Sequence, residues 1–268
     1  MKQQTHDHEY FGTVSIENGW VPPPSYVLRR QRIMATLGPM PRGKLLEVGC
    51  GAGALVRDLH AMGFACTAME LGEKAREIAR RICADRPGLE IHAEPRPEWA
   101  EAFDYVVAFE VLEHIEDDFA AVKQWSSWLK PSGRLIVSVP AHPRRWSVSD
   151  VWAGHFRRYT RASLQAVIEQ AGGLQVRTFE SYGFPLSNLI EPIRALHHGR
   201  QLRQRGKAAA DKHQGTVHSG IERTLETRLY PLQASLLGVG ILRLCGRLQE
   251  IFKDRELGTG YLVTAPRC

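Results

Sequence analysis

The chain has 268 residues, a net charge of +6 and a pI near 9.2, with 43% hydrophobic and 24% charged residues. This composition excludes a largely disordered chain, and the length allows one full α/β core with material left over. Five scattered cysteines (Cys50, Cys66, Cys83, Cys245 and Cys268) without a C-x-x-C pair exclude a disulfide scaffold and point to reduced thiols in a cytoplasmic compartment.

Met1 to Glu9 is polar and lacks the apolar core and cleavage site of a secretory signal. Tyr10 to Trp20 is aromatic without clear periodicity, so Tyr10, Phe11 and Trp20 read either as a staple on the core or as a cover for a ligand. Pro22-Pro23-Pro24 sets an extended turn, and Tyr26–Leu37 then has the spacing of an amphipathic helix. Next comes Leu45-Leu46-Glu47-Val48-Gly49-Cys50-Gly51-Ala52-Gly53, a strand that runs into a turn in which every second residue lacks a Cβ. Ala54, Leu55, Val56 and Leu59 continue at helical spacing. A turn of this kind lets a ligand lie on bare backbone at a helix N-terminus. Glu47 beside it repels a pyrophosphate and suits a ligand with a cationic end. Gly49, Gly51 and Ala54 also satisfy the dinucleotide fingerprint G-x-G-x-x-G/A, so this stretch alone leaves a dinucleotide-dependent oxidoreductase open.

A second strand, Phe64 to Glu70, ends in an acid seventeen positions beyond Gly53, near the offset at which α/β nucleotide sites place a carboxylate on ribose hydroxyls. Glu73 to Ala84 reads as a helix, Leu89 to His92 as a short strand, and Glu94 follows. The fourth strand, Phe103 to Phe109, runs straight into Glu110-Val111-Leu112-Glu113-His114-Ile115. Asp117 or Asp118 caps a helix with Phe119, Val122, Trp125 and Leu129 on its buried face, and a Lys130-Pro131-Ser132-Gly133 turn precedes a fifth strand, Arg134 to Val139. The polar, aromatic block Asp150-x4-His155-Phe156-Arg157-Arg158-Tyr159-Thr160 then opens a helix that stops at Gly172-Gly173. Leu174–Tyr182 and Gly258–Ala265 are the sixth and seventh strands.

The Glu-x-Gly-x-Gly-x-Gly run resembles motif I of the class I S-adenosylmethionine-dependent methyltransferases. Phe-Asp-x-Val followed by Glu-Val-Leu-Glu-His-Ile resembles the segment after strand 4 in the branch that includes the ubiquinone-biosynthesis O-methyltransferases, and dinucleotide dehydrogenases have no counterpart to it. Leu-Lys-Pro-x-Gly-x-Leu and His-x-Arg-Arg-Tyr-Thr fit the same branch. The resemblance implies an α/β fold: a Rossmann-like, seven-stranded, mostly parallel sheet with its last strand antiparallel, flanked by helices. It also implies S-adenosyl-L-methionine as cofactor, held by Glu47, Gly49, Cys50, Gly51, Gly53, Glu70, Leu71, Phe109 and Glu110, with Glu94 toward the adenine.

The expected layout is an N-terminal helical lid (1–40), the cofactor-binding domain (41–183 plus 257–268) and a helical insertion (184–256). Between Phe184 and Glu256 there are twelve Lys and Arg against seven Asp and Glu, so most of the positive excess sits there and no nucleic-acid partner is expected. Arg194–Lys212 is basic, and the apolar stretch Leu229–Leu244 is too short and interrupted for a transmembrane span. The insertion is therefore either a cap over the cleft or a peripheral contact with the inner face of an anionic membrane.

Methyl transfer from a sulfonium needs in-line placement and exclusion of water, and it needs a base only where the acceptor must lose a proton. His142, His114 and His155 are the candidate bases, His142 first by position. The Arg157–Arg158 pair faces either an anionic acceptor or a neighbouring carboxylate. Glu110, Glu113 and His114 could gather a divalent ion, but a polar helical face is the plainer reading and no metal is expected. The expected reaction is O-methylation of a small or lipid-linked metabolite. A dinucleotide oxidoreductase and a non-catalytic cofactor-binding adaptor at a membrane surface are the alternatives.

Overall fold

Alternation of side chains along the central strands builds the sheet and covers both of its faces. The computed structural model describes residues 5–205 and 224–267. A short hairpin, β1 (His6–His8) and β2 (Gly12–Val14), precedes α1 (Pro24–Leu37). Then follow β3 (Lys44–Val48), α2 (Ala54–Ala61), β4 (Ala65–Met69), α3 (Glu73–Ile82), β5 (Glu90–His92) and β6 (Phe103–Phe109). After these come α4 (Asp118–Ser127), β7 (Leu129–Pro140), α5 (Val148–Ala153), α6 (Arg161–Gly172) and β8 (Thr178–Tyr182). The chain ends with α7 (Leu186–Arg205), α8 (Thr224–Gln233), α9 (Leu236–Phe252) and β9 (Gly260–Pro266).

Seven strands form one sheet in the order β5-β4-β3-β6-β7-β9-β8, parallel from β5 to β7, with β9 antiparallel to both of its neighbours. Because successive residues of a strand point to opposite faces, Leu46, Val48, Val106, Ala108, Leu135 and Val137 join one apolar cluster with Trp125 of α4 and Leu164 of α6. Leu45, Tyr105, Val107 and Ile136 join the other, with Ile33 of α1, Leu55 of α2 and Ala79 of α3. Strands covered on both faces explain why β3 and β6 read as nearly unbroken apolar runs. Strand order reverses between β3 and β6, and an open parallel sheet forms its ligand crevice at that point, beyond the C-terminal strand ends.

The expected caps are present: Asp117 accepts from Ala120 N (2.9 Å), Thr160 from Ser163 N (3.1 Å), and Gly173 ends α6 in the left-handed region. Several details differ from expectation. Phe119, expected on the buried face of α4, is 45% exposed, and Leu129 belongs to β7 rather than to that helix. The aperiodic Tyr10–Trp20 segment belongs to the hairpin and a following 3-10 turn, where Phe11 and Trp20 are buried, so these two act as a staple. Trp20 lies edge-on to Tyr26 at 5.4 Å, and Phe11 sits 5.9 Å from Tyr230. Pairing of Phe103 with Leu129 extends β7 back through the expected Lys130–Gly133 turn, and β8 begins at Thr178 rather than Leu174.

The hairpin is pinned by charge. Thr13 Oγ1 (2.8 Å) and Arg30 Nε (2.6 Å) both donate to the buried Asp58, and Arg57 Nε reaches Asp7 (3.1 Å). Arg32, buried on α1, donates to Glu180 of β8 (2.6 Å) and pairs with Glu250 of α9. Part of the expected basic stretch Arg194–Lys212 lies outside the described residues.

Candidate functional site

The turn after β3 folds back because Gly49 N and Cys50 N both donate to Met69 O at the tip of β4 (2.8 and 3.1 Å). Gly51 lies at φ +54°, where an L side chain is strained, and a Cβ there would meet nothing within 4 Å, so bare backbone faces open space. At Gly53 the reason is different: α2 and α3 approach so closely that a Cβ would fall 2.9 Å from the Cβ of Ala79.

Glu70 links the two strand tips. Its Oε2 accepts from Gly51 N and its Oε1 from Gly72 N, each at 2.8 Å, which leaves lone-pair directions on both oxygens. Burial raises its pKa, and the two amide donors oppose that rise. Leu71 beside it is 68% exposed, an apolar surface at the rim. Glu94 stands exposed in the bend after β5.

Two further carboxylates rim the crevice. Glu47, at the end of β3, is only 3% exposed, and its Oε2 has no hydrogen-bond partner. Burial pushes its pKa up to about 8, with Arg29 pulling it back and Asp58 and Glu70 adding to the rise. Glu110, after the buried Phe109, lies at φ +57°, a conformation that a non-glycine residue keeps only when its surroundings hold it. The Tyr182 hydroxyl donates to its Oε1, Ser138 Oγ approaches the same oxygen at 3.5 Å, and Arg29 of α1 lies 3.6 Å from its Oε2. Arg29 thus pairs with Glu110 and acts electrostatically on Glu47, and the Glu110 carboxylate raises its pKa despite burial. Arg29, Ser138 and Tyr182 were not legible as site residues, because helix α1 and strands β7 and β8 meet here only in the folded chain.

These features fit S-adenosyl-L-methionine. The unpartnered Glu47 oxygen, the open face of Gly51 and the carboxylate of Glu70 offer, in turn, an acceptor for a cationic end, a surface for close approach and acceptor capacity for hydroxyls. One consequence can be measured without ligand. A carboxyl whose folded pKa is raised contributes stability that is complete below its ordinary value and is lost as the pH climbs through the folded one, here from about 4.5 to about 8. Urea unfolding of the free protein is therefore expected to show a loss of roughly 2 kcal/mol between pH 6 and pH 9 that Glu47→Gln removes. Equal pH slopes for the two proteins would sink this assignment.

A second cluster flanks the first. The 3-10 turn Leu112–His114 follows β6, and Phe156 N donates to Glu113 O (2.8 Å), drawing the loop between α5 and α6 against it. The Glu113 side chain is fully buried with neither carboxyl oxygen in a hydrogen bond, while desolvation, and then Glu110, hold its carboxyl well above the usual range. His114 Nε2 and His155 Nε2 lie 4.0 and 3.9 Å from Glu113 Oε1, with the two rings edge-to-face at 4.7 Å. Burial, then His155, lowers the pKa of His114 to about 3, so that ring is neutral.

His155 Nδ1 is 2.9 Å from Asp150 Oδ1, which also accepts from Arg158 Nε (2.7 Å). Burial raises the Asp150 pKa, but His155 and Arg158 outweigh it and bring the value down to about 2. An ionised Asp150 fixes the proton of His155 on Nδ1 and leaves Nε2 as an acceptor. Glu113, His114 and His155 each offer one atom within 4.8 Å of the others, a donor set that could hold a divalent cation.

His142 lies apart from this cluster. At φ +61° on the tip of β7, its Nδ1 is 3.4 Å from the Tyr261 hydroxyl, and burial, then Arg145, lowers its pKa. Its ring faces Tyr261 of β9, while its backbone N donates to Tyr159 O (2.8 Å) of the loop before α6. The arginine pair is committed to carboxylates: Arg157 lies 2.7 Å from Asp118, which also accepts from the Tyr159 hydroxyl (2.8 Å), and Arg158 is held by Asp150.

Residues 26–177, more than half of the chain, match a family described as a methyltransferase domain. The chain is 30% identical over 161 residues to a ubiquinone biosynthesis O-methyltransferase of Paramagnetospirillum magneticum, covering 54% of this chain and 64% of that protein. It is 34% identical over 116 residues to a protein of the same name from Caulobacter vibrioides, covering 41% and 46%. These matches thus span about half the length of the relatives. Among solved structures, phosphoethanolamine N-methyltransferase 2 of Haemonchus contortus in complex with S-adenosyl-L-methionine has a similar fold, with a TM-score of 0.51 at 14% identity over 89% of this chain and 51% of that one.

Proposed function

Because the chain belongs to the methyltransferase-domain family, we infer that it transfers a methyl group from S-adenosyl-L-methionine to an oxygen of a small or lipid-linked acceptor. The observation that carries this reading is the pair of carboxylates at neighbouring strand tips, Glu47 with an unpartnered oxygen and Glu110 in a strained backbone and paired with Arg29, beside the bare backbone of Gly51. Two acidic side chains against one resident cation, with the buried Glu47 gaining its charge when a cation arrives, suit a positively charged ligand better than a pyrophosphate. The dinucleotide alternative loses its basis with the family assignment. The name that the two relatives share, O-methyltransferase, supports oxygen as the acceptor atom.

When bound, S-adenosyl-L-methionine supplies an activated methyl group with a neutral leaving group. The chain's own residues then have three tasks. Glu70 and the Gly49–Gly53 turn hold and orient the nucleoside end, with Leu71 as an apolar face beside it. Glu47 and Glu110 receive the cationic amino-acid end, and Arg29 and Tyr182 keep Glu110 in place. His155 Nε2, freed as an acceptor by Asp150, takes the proton of the acceptor hydroxyl as the new C–O bond forms.

Incubation of the purified chain with a metabolite and lipid extract and isotopically labelled methyl donor is the direct test. Mass spectrometry is expected to find label in an O-methyl product alongside S-adenosylhomocysteine. Label in an amine or thiol would overturn the oxygen assignment, and no turnover with any extract would overturn catalysis by this chain.

A further inference from the structure

We propose that the hairpin formed by α8 and α9 is a docking surface for an anionic phospholipid bilayer. Helix α9 has two apolar faces where a soluble helix needs one. Leu242, Cys245 and Gln249 are buried, and Gln249 ties α9 to the core by donating to Leu28 O (3.0 Å) and accepting from Gly183 N (2.6 Å). A separate stripe, Leu237, Ile241, Leu244 and Ile251 at spacings of four, three and seven, lies exposed. It continues over the turn through Leu236, which is 95% exposed, to Leu232 and Leu229 of α8. Isolated exposed leucines are ordinary, but a contiguous run of seven on one helical hairpin marks a contact surface.

Charge and shape favour a lipid surface as the occupant. Arg247 lies one turn from both Leu244 and Ile251, so a guanidinium group rims the stripe where lipid phosphates would sit above acyl chains, while Arg243 is turned over the Tyr10 ring. The insertion as a whole carries the basic surplus of the chain. No single described helix is long and apolar enough to cross a bilayer, and α8 and α9 meet at a 90° bend, a geometry that dips a hydrophobic corner into one leaflet. The placement also serves the cleft. Leu28, whose carbonyl anchors α9, precedes Arg29, so the docking hairpin is fixed to the helix that borders the cofactor rim. An acceptor with an apolar tail would then approach from the lipid side.

The test is co-sedimentation of the full chain with phosphatidylcholine vesicles, with and without phosphatidylglycerol, at low and high salt. Binding is expected to the anionic vesicles, to weaken in high salt, and to fall roughly tenfold in the Leu236→Asp/Leu237→Asp double variant and less in Arg247→Gln. Calorimetric binding of S-adenosyl-L-homocysteine by the double variant serves as the folding control. No sedimentation with either vesicle, or equal sedimentation of the double variant, overturns the proposal. So does a wild-type dimer that the double variant converts to monomer without any vesicle binding, since a second copy would then be the occupant. None of these outcomes depends on whether the chain methylates oxygen.

Discussion

His155→Ala is expected to lower kcat by about 10²–10⁴-fold while the affinity for S-adenosyl-L-homocysteine stays within a factor of two. The split follows from the geometry. His155 is held by Asp150 at 2.9 Å on the loop between α5 and α6, and the cofactor-facing groups Glu47, Glu70 and Gly51 come from β3, β4 and the turns after them. The alanine leaves the nucleoside end untouched and removes an imidazole whose tautomer is fixed by an ionised carboxylate. Asp150→Asn should reproduce part of the loss, because an amide can accept from Nδ1–H or donate to a bare Nδ1 and so no longer enforces Nδ1–H. Should the trio of Glu113, His114 and His155 instead hold a divalent ion, the same substitution would lower the metal content of the purified protein in step with kcat. Unchanged metal content with lost activity is what the base assignment requires. Equal activity of the variant and the wild type would end it.

The second large effect concerns Glu70. Glu70→Ala removes the acceptor of Gly51 N and Gly72 N and the oxygens offered to ribose hydroxyls, two or more charge-assisted hydrogen bonds in a half-buried setting. An expected loss of about 2.7 kcal/mol corresponds to roughly 100-fold weaker binding of S-adenosyl-L-homocysteine by calorimetry. At saturating donor, kcat should change far less, since the group acts on binding. Glu70→Gln keeps one oxygen acceptor and is expected to fall between. A dissociation constant for the alanine variant within threefold of wild type, with the thermal midpoint unchanged, would exclude Glu70 from the cofactor site.

The histidines show where reading a sequence reaches its limit. Position along the chain favours His142, which follows β7 directly, but the fold turns its ring toward Tyr261 and the β9 edge. His155 sits thirteen residues further on, and its partner Asp150 is visible in the sequence only as a neighbour five residues away. That they form a hydrogen-bonded pair depends on α5 ending at Gly154 in the left-handed conformation, which folds His155 back over the helix. Arg29 is a stronger case. Nothing in Arg29 distinguishes it from Arg30 or Arg32 in the sequence, yet Arg30 serves Asp58, Arg32 serves Glu180, and Arg29 alone of the three meets Glu110.

What the sequence determined by itself is the local chemistry. Alternating apolar runs give strands, glycines at Gly49, Gly51 and Gly53 give a turn open to a ligand, acids end β3 and β4, and Asp117 and Thr160 cap helices. These follow from neighbours within a few residues, so spacing is enough to read them. The tertiary structure alone decided which helix supplies the cation that pairs with Glu110, which histidine acquires a carboxylate partner, and which side of α9 is left uncovered. Those are contacts between segments tens to hundreds of residues apart, set by how the layers stack on the sheet, and residue order carries no local signal for them.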